Sequence, residues 1–466
     1  MRLDSQLQEG AGDASPADGV EPTGLTITSR DDVVALRAGL KSFMDMLNDD
    51  EKSIFGSLLF ADAKPTIHQR LSLPEEAVLN RRERAMLRQI EQTPVDETPA
   101  RSPSMIIVMK ATRLCNLRCT YCHAWREGPG HVMSFAVLAR TIRDALQAPG
   151  ARHIEFVWHG GEATLLGVKF YRKALWLQQR YAPKGTSFSN AIQTNAVDIS
   201  DDMLEFLRDY SISIGVSIDG PPAINDTRRV DVNGAGTSRR ILATLRRLRQ
   251  KGVKHGLLAV IDSEIAAMPA RELLDYFVLT GARSLDILNA LPENDESCNV
   301  IGTYIPWPEY VKFMCHLYEV WRDEYQDRLE IRTFISLLNK VANREHGLCI
   351  FAGDCQGKYL TIESNGNIAA CDKYVGDDNY LYGNIFKGSL NRSLAGSQNL
   401  KRAKAELDCY KTGSSQCQWY SVCTGGCPHD RKTSRRLLND TSGCCGLGPL
   451  LSLMEKDTAR GTICLP

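Results

Sequence analysis

Cys115, Cys119 and Cys122 place three thiols within eight residues, in the run ATRLCNLRCTYCHAW, and no fourth Cys lies inside it. Two chemistries fit such a loop. Zinc would take the three thiolates plus His123, a formal set of four, although His123 is too close to Cys122 for both side chains to reach one ion easily. Catalytic zinc also wants an activated water and an acid/base partner nearby, and the loop offers neither. Alternatively, three thiolates hold three irons of a [4Fe–4S] cube and leave the fourth iron open to an exogenous ligand. The lack of an activated water and an acid/base partner counts against zinc and leaves the cube as the better reading.

The remaining cysteines point the same way. Of fifteen, twelve fall in two groups, at 115–122 and 349–445, with Cys298, Cys315 and Cys464 outside them. Clustered thiols in a reducing compartment ligate metal more often than they form disulfides. The N-terminus is polar and lacks the apolar run of a secretory signal, and no stretch reaches the roughly 18–20 apolar residues that span a bilayer. The expected location is therefore cytoplasmic. With 56 basic and 56 acidic side chains the formal charge is zero, which argues against a broad grip on nucleic acid or an anionic membrane.

Elements must present these thiols. Residues 1–30 are polar and aperiodic and read as a disordered tail. Residues 31–104 read as a helical extension, with Leu36, Leu40, Phe43, Met44 and Leu47 at helical spacing, a second helix over 73–92 and a Pro-rich linker at 93–104. It could be a helical cap, a partner-docking module or a packing extension. From 105 to about 290, apolar runs such as SMIIVMKA, HIEFVWHGG and SISIGVSID alternate with helical stretches such as SFAVLARTIRDALQ and SRRILATLRRLRQKG. About six βα units are visible, which predicts an α/β fold built on parallel strands, either a barrel or an open sheet. The Cys loop follows the first strand, and active sites of such folds lie at the C-terminal strand ends. The expected organisation is a barrel over 105–330 and a small, irregular, Cys-rich domain over 331–466.

Cys115-x3-Cys119-x2-Cys122, with Tyr121 before the last Cys, resembles the signature of the radical S-adenosylmethionine (radical SAM) superfamily. The resemblance implies a partial (β/α)6 TIM-like barrel and a [4Fe–4S] cluster whose open iron is chelated by S-adenosylmethionine. Cleavage of that cofactor then yields a 5′-deoxyadenosyl radical that takes hydrogen from substrate. WHGGEATL is similar to the family's glycine–glycine–glutamate motif, so Gly160, Gly161 and Glu162 would engage the methionine amino group; Gly permits close backbone approach and a carboxylate suits an ammonium. IQTNA and GVSIDGP resemble later strand-end motifs that would bring Asn195, Ser217 and Asp219 near cofactor or substrate, although each residue taken alone could be an ordinary loop polar group.

Cys355-x10-Gly366-x4-Cys371 resembles the opening of the SPASM extension, an iron–sulfur domain carrying two auxiliary [4Fe–4S] clusters. By that pattern Cys349, Cys355, Cys371 and Cys427 would hold one cluster. Cys417, Cys423 and one of Cys444 and Cys445, with Cys444 preferred, would serve the other. The chain departs from the pattern at Ser414, where the extension carries a Cys. Cys409 is the nearest substitute, and otherwise that cluster keeps an open iron. Disulfides or a zinc ribbon are the bland alternatives for this segment.

SPASM proteins mostly modify ribosomally made peptides or proteins, with an external electron donor of flavodoxin or ferredoxin type. Asp372, directly after Cys371, stands where sulfatase maturases carry the base that takes the substrate proton. An exposed turn Asp is the plain alternative, and the catalytic role requires burial to raise its pKa toward neutrality. HAWREGP and CDKYVGDDNYLYGNIFKGSL are similar to maturases that join an aromatic ring to a β-carbon. The expected activity is therefore a carbon–carbon, cyclophane-type crosslink in a precursor peptide, with the electron left over passing to an auxiliary cluster. Oxidation of Ser or Cys to formylglycine and thioether formation are the alternatives. A non-catalytic iron–sulfur carrier would have no use for an open iron.

Overall fold

The structure, a computed structural model, describes residues 73–122, 124, 129–294, 300–301, 303–344, 348–438, 444–461 and 463. The tail and the first expected helix, together with His123, Cys298 and Cys464, lie outside the described residues. All the described residues belong to one unit, Ile67–Pro466.

Six strands run parallel in sequence order: β1 (Ser104–Thr112), β2 (His153–Gly160), β3 (Ser187–Thr194), β4 (Ser213–Ser217), β5 (His255–Ile261) and β6 (Ser284–Asn289). Each follows a segment read as a strand from its apolar, β-branched composition. Helices α1 (Phe135–Leu146), α2 (Gly167–Tyr181), α3 (Asp201–Asp209), α4 (Ser238–Gln250) and α5 (Ala270–Leu279) fill the intervening stretches. Side-chain alternation shows which face each strand offers. On β2, Ile154, Phe156 and Trp158 are buried, while Glu155, Val157 and His159 keep part of their surface. On β1, Met105, Ile107 and Met109 are buried and Ile106 and Val108 are not. A strand packed on both faces would be buried throughout. Here the helices cover one face, and the partial barrel leaves the other face half open.

The sheet does not end at β1. A C-terminal strand, Tyr359–Ile362, pairs parallel with β1, and two short antiparallel strands, Asn367–Ala369 and Leu381–Asn384, extend it outward. With Glu330–Ile331 beside β6, the sheet reaches ten strands. The Cys-rich region thus shares a core with the barrel: Leu360, Ile362, Ile368 and Tyr382 are buried, and the helix Gly448–Arg460 anchors Asp457 to Tyr318 (3.2 Å) and Arg322 (2.7 Å).

The helix expected over 73–92 is broken in two, Glu75–Val78 and Arg81–Gln92. Asn80 is the reason. Its side chain accepts the Glu83 N–H at 2.9 Å, and Glu83 accepts the Asn80 N–H at 3.0 Å, a reciprocal cap that starts a new helix. Buried Arg143 of α1 donates to the carbonyls of Ile90 and Thr93, fastening the end of that helix to the barrel.

Candidate active site and cysteine clusters

The end of β2 meets the start of the Cys loop because two residues lack side chains. A Cβ at Gly160, whose φ is +147°, would lie 1.9 Å from the Thr112 carbonyl oxygen, and one at Gly161 would lie 2.1 Å from that of Leu114. The space is used by hydrogen bonds: the Gly161 N–H donates to Thr112 (2.8 Å) and the Glu162 N–H to Leu114 (2.7 Å). The loop carrying Cys115 is thereby fixed to the strand end from which it departs.

Glu162 is 1% exposed. A buried carboxylate must be satisfied, and this one accepts from the Thr164 hydroxyl (2.6 Å) and N–H (3.0 Å), the Thr194 hydroxyl (2.7 Å) and the Asn195 N–H (2.7 Å). It therefore ties β2 to β3 besides any part it takes in holding a cofactor. Asn195 continues the chain of contacts, donating through Nδ2 to Asn116 (2.8 Å) and toward the Cys115 sulfur (3.8 Å). Ser217, half-buried on the open face, accepts from Gln193 at 2.8 Å.

Asp219 and Tyr121 form a second anchor. Asp219 is fully buried, accepting the Tyr121 hydroxyl (2.7 Å) and the Val260 N–H (3.0 Å). Arg229 donates to the Tyr121 oxygen at 2.5 Å, and the Arg228 guanidinium lies 5.1 Å from the ring centroid. Burial raises the Tyr121 hydroxyl well above its ordinary value despite the opposing charge of Arg229, with Asp219 adding to the rise. The polar atoms of both residues are thus committed within the protein, which locks the Cys loop over β4 and β5.

The three loop thiols form one electrostatic group. Burial raises Cys115 to about 11 and also raises Cys119, and each feels its neighbours' charge. Backbone N–H groups of Leu117 and Ala124 lie 3.4 Å from the sulfurs of Cys115 and Cys122, the donors a thiolate uses when it ligates iron. A cube spreads its thiolates over separate irons, and this donor set fits one.

In the C-terminal region Cys349, Cys355, Cys371 and Cys427 come together. Burial leads in raising all four thiols, and Cys355 interacts electrostatically with each of the other three. Half-buried Lys373 and buried Asp430, paired at 2.7 and 2.8 Å, sit against this group. The other expected set is only partly assembled. Cys423 and Cys445 are buried against each other, and the hydrogen bond from Cys445 draws the Cys423 thiol below its ordinary value. Cys417 is half-buried, while Cys409 and Cys444 are exposed.

Asp372 is held by a residue that motif reading does not single out. Lys110, 2% exposed on β1, forms an ion pair with the Asp372 carboxylate and lies 3.1 Å from His159 Nδ1. Burial alone would raise the Asp372 carboxyl, but Lys110, followed by His159, overrides it and holds the group at about 2. The expected shift toward neutrality is therefore reversed, because the nearest charge is a cation. His159 is pushed down to about 4 by burial and then by Lys110, so it is neutral at pH 7. Lys110 and His159 could have been found as polar residues on otherwise apolar strands. Asp372 comes from elsewhere in the chain, so their meeting could not.

Residues 109–267, which carry the three-thiol loop and both glycines, match the model of the radical SAM superfamily. A serine-type anaerobic sulfatase-maturating enzyme of Klebsiella aerogenes is 33% identical over 352 residues, covering 74% of this chain and 84% of that protein. The chain belongs to the radical SAM superfamily. This radical SAM protein is an enzyme, a maturase that modifies peptides or proteins, and its cofactors are S-adenosylmethionine and a [4Fe–4S] cluster. It is also similar to a cysteine-type anaerobic sulfatase-maturating enzyme of Clostridium perfringens, at 26% identity over 335 residues, 70% of this chain and 89% of the relative. The fold matches that of anSMEcpe solved with AdoMet and a peptide, with a TM-score of 0.65 at 24% identity over 76% of this chain and 97% of the other. No described helix is long and apolar enough to cross a membrane.

Proposed function

We propose that this maturase oxidises a peptide side chain at its β-carbon, and that the product is a carbon–carbon crosslink to an aromatic ring. Cys115, Cys119 and Cys122 would hold the cluster that binds S-adenosylmethionine, near Gly160, Gly161, Glu162 and Asn195. When bound, that pair supplies the carbon radical that takes a hydrogen atom from the substrate. Cys349, Cys355, Cys371 and Cys427 would hold one auxiliary cluster; Cys423 and Cys445, with Cys417, would contribute to a second.

The observation that carries the reading is the placement of Asp372. Its carboxylate is ionised and 36% exposed, beside the half-open face of β1 and β2. Held at about 2 it is a weaker base than the sequence led one to expect, and it suffices because the protons concerned, on an oxidised aromatic ring regaining its aromaticity or on an oxidised hydroxyl becoming a carbonyl, are strongly acidic. Cys371 precedes it directly, so the proton acceptor and an auxiliary-cluster thiol are neighbours in the chain. The crosslink is favoured by the likeness of HAWREGP and CDKYVGDDNYLYGNIFKGSL to cyclophane-forming maturases. Formylglycine formation is the second reading, favoured by the identity with sulfatase-maturating enzymes.

Anaerobic coexpression with a precursor peptide encoded beside the gene, followed by mass spectrometry, tests it. A crosslink removes two hydrogens and suppresses backbone fragments between the joined residues. An aldehyde that reacts with hydroxylamine, with normal fragmentation, would replace the crosslink reading by formylglycine. In either chemistry Asp372→Asn should lower product formation about 100-fold; full activity would remove Asp372 from the reaction.

A further inference from the structure

Lys110 is one of the largest fully buried side chains in the described structure, and it is a cation. A buried ammonium is costly unless paired, and an apolar side chain of similar volume is often the more stable choice at such a position. Its surroundings therefore bear on why a lysine stands there. The Lys110 Nζ meets two groups, the carboxylate of Asp372 and His159 Nδ1 at 3.1 Å. Lys110 and His159 are register partners on adjacent strands, so the two are held side by side by the ladder itself. An ammonium has only donors, so His159 Nδ1 must accept, which places the imidazole proton on Nε2. The third edge of the triangle, His159 Nδ1 to Asp372, is 3.7 Å.

Among the described residues the Asp372 carboxylate makes no hydrogen bond to its own segment. Asp372 opens a three-residue helical turn, Asp372–Tyr374, whose hydrogen bonds run through the main chain. Those bonds leave the carboxylate to be aimed by whatever it pairs with.

We propose that Lys110 is the positioning residue for Asp372. It fixes a carboxylate delivered by the Cys-rich region at a set place over β1 of the barrel, and His159 keeps the Lys110 side chain in the conformer that does so. The inference rests on Asp372 acting as the proton acceptor in the reaction described above. Lys110 acts only through Asp372 and touches neither reacting atom.

The test compares Lys110→Met, Asp372→Asn and the double variant in the reconstituted enzyme with its peptide. Modified peptide formed per 5′-deoxyadenosine released is the main readout, with kcat and KM for the peptide measured separately. Lys110→Met should lower that ratio and kcat about 10-fold with KM for the peptide unchanged. The double variant should be no worse than Asp372→Asn, since residues that act as one unit are not additive. Lys110→Arg, which keeps the charge, should recover part of the ratio. Melting temperature and iron content are followed alongside. If Lys110→Met loses either, Lys110→Gln, which keeps a hydrogen-bond donor, carries the same comparison. A wild-type ratio in the Lys110 variants while Asp372→Asn is impaired overturns the positioning role alone. A multiplicative loss in the double variant does the same. A wild-type ratio in Asp372→Asn overturns the proton-acceptor reading and the positioning role with it.

Discussion

The Glu162 carboxylate accepts the Asn195 N–H at 2.7 Å, so the end of β2 and the end of β3 are joined by one buried charge. The same carboxylate takes the hydroxyls of Thr164 and Thr194. Hydrogen bonds to a charged group contribute about 1.5–3 kcal/mol each. Glu162→Gln keeps one carbonyl oxygen but turns an amide donor toward groups that also donate. It should lower stability by about 2 kcal/mol, a drop of a few degrees in Tm. A thermal melt of the cluster-free protein checks this, and an unchanged Tm would show that the tie contributes nothing to the fold.

The second auxiliary site gives a prediction that separates adjacent residues. Cys445 is 5% exposed against Cys423, and Trp307 Nε1 donates to the Cys445 carbonyl at 2.7 Å, holding that thiol inward. Cys444 is exposed. Cys445→Ser should cost the iron of one cluster, measured by iron analysis and electron paramagnetic resonance, whereas Cys444→Ser should leave it. The opposite result would restore Cys444 as the ligand.

The Lys373–Asp430 pair makes a prediction about acid stability. Burial pushes the Asp430 carboxyl up, but Lys373 outweighs it and holds the group at about 2, against an ordinary 3.8. A depressed carboxyl stabilises the fold above its ordinary pKa, and that contribution fades as pH falls toward the folded value. The full contribution is on the order of 2 kcal/mol, with ~1 kcal/mol lost by pH 3. Urea unfolding at pH 6 and pH 3 should show the gap between the native protein and Asp430→Asn narrowing by that amount. A constant gap would mean that Asp430 is no more acidic in the folded state than in the unfolded chain.

Local information decided much of this protein. The three-thiol loop, the glycines at 160 and 161 and the six βα units are legible because each depends on neighbours in the chain: a ligand spacing, a backbone that needs no Cβ, an alternation of apolar residues. Asn80 was legible in principle too, since a cap and its partner Glu83 lie three residues apart, but the helical pattern on either side hid the break. Asp219 and Tyr121 were visible as motif residues, yet not as partners 98 positions apart. The acidity of Asp372 shows the limit most clearly. Sequence supplied a carboxylate next to a cysteine, and the direction of its pKa depended on which charge came nearest. That charge, Lys110, lies 262 residues earlier, and only pairing of the C-terminal strand Tyr359–Ile362 with the edge of β1 brings the Cys-rich region to it. Which of Cys444 and Cys445 faces Cys423 is likewise beyond spacing, because adjacent residues point in different directions and the Trp307 bond selects one. Residue types and spacing determined what chemistry the chain can carry; the sheet that joins its two halves decided which charges meet, because electrostatic interaction falls with distance in space and takes no account of distance along the chain.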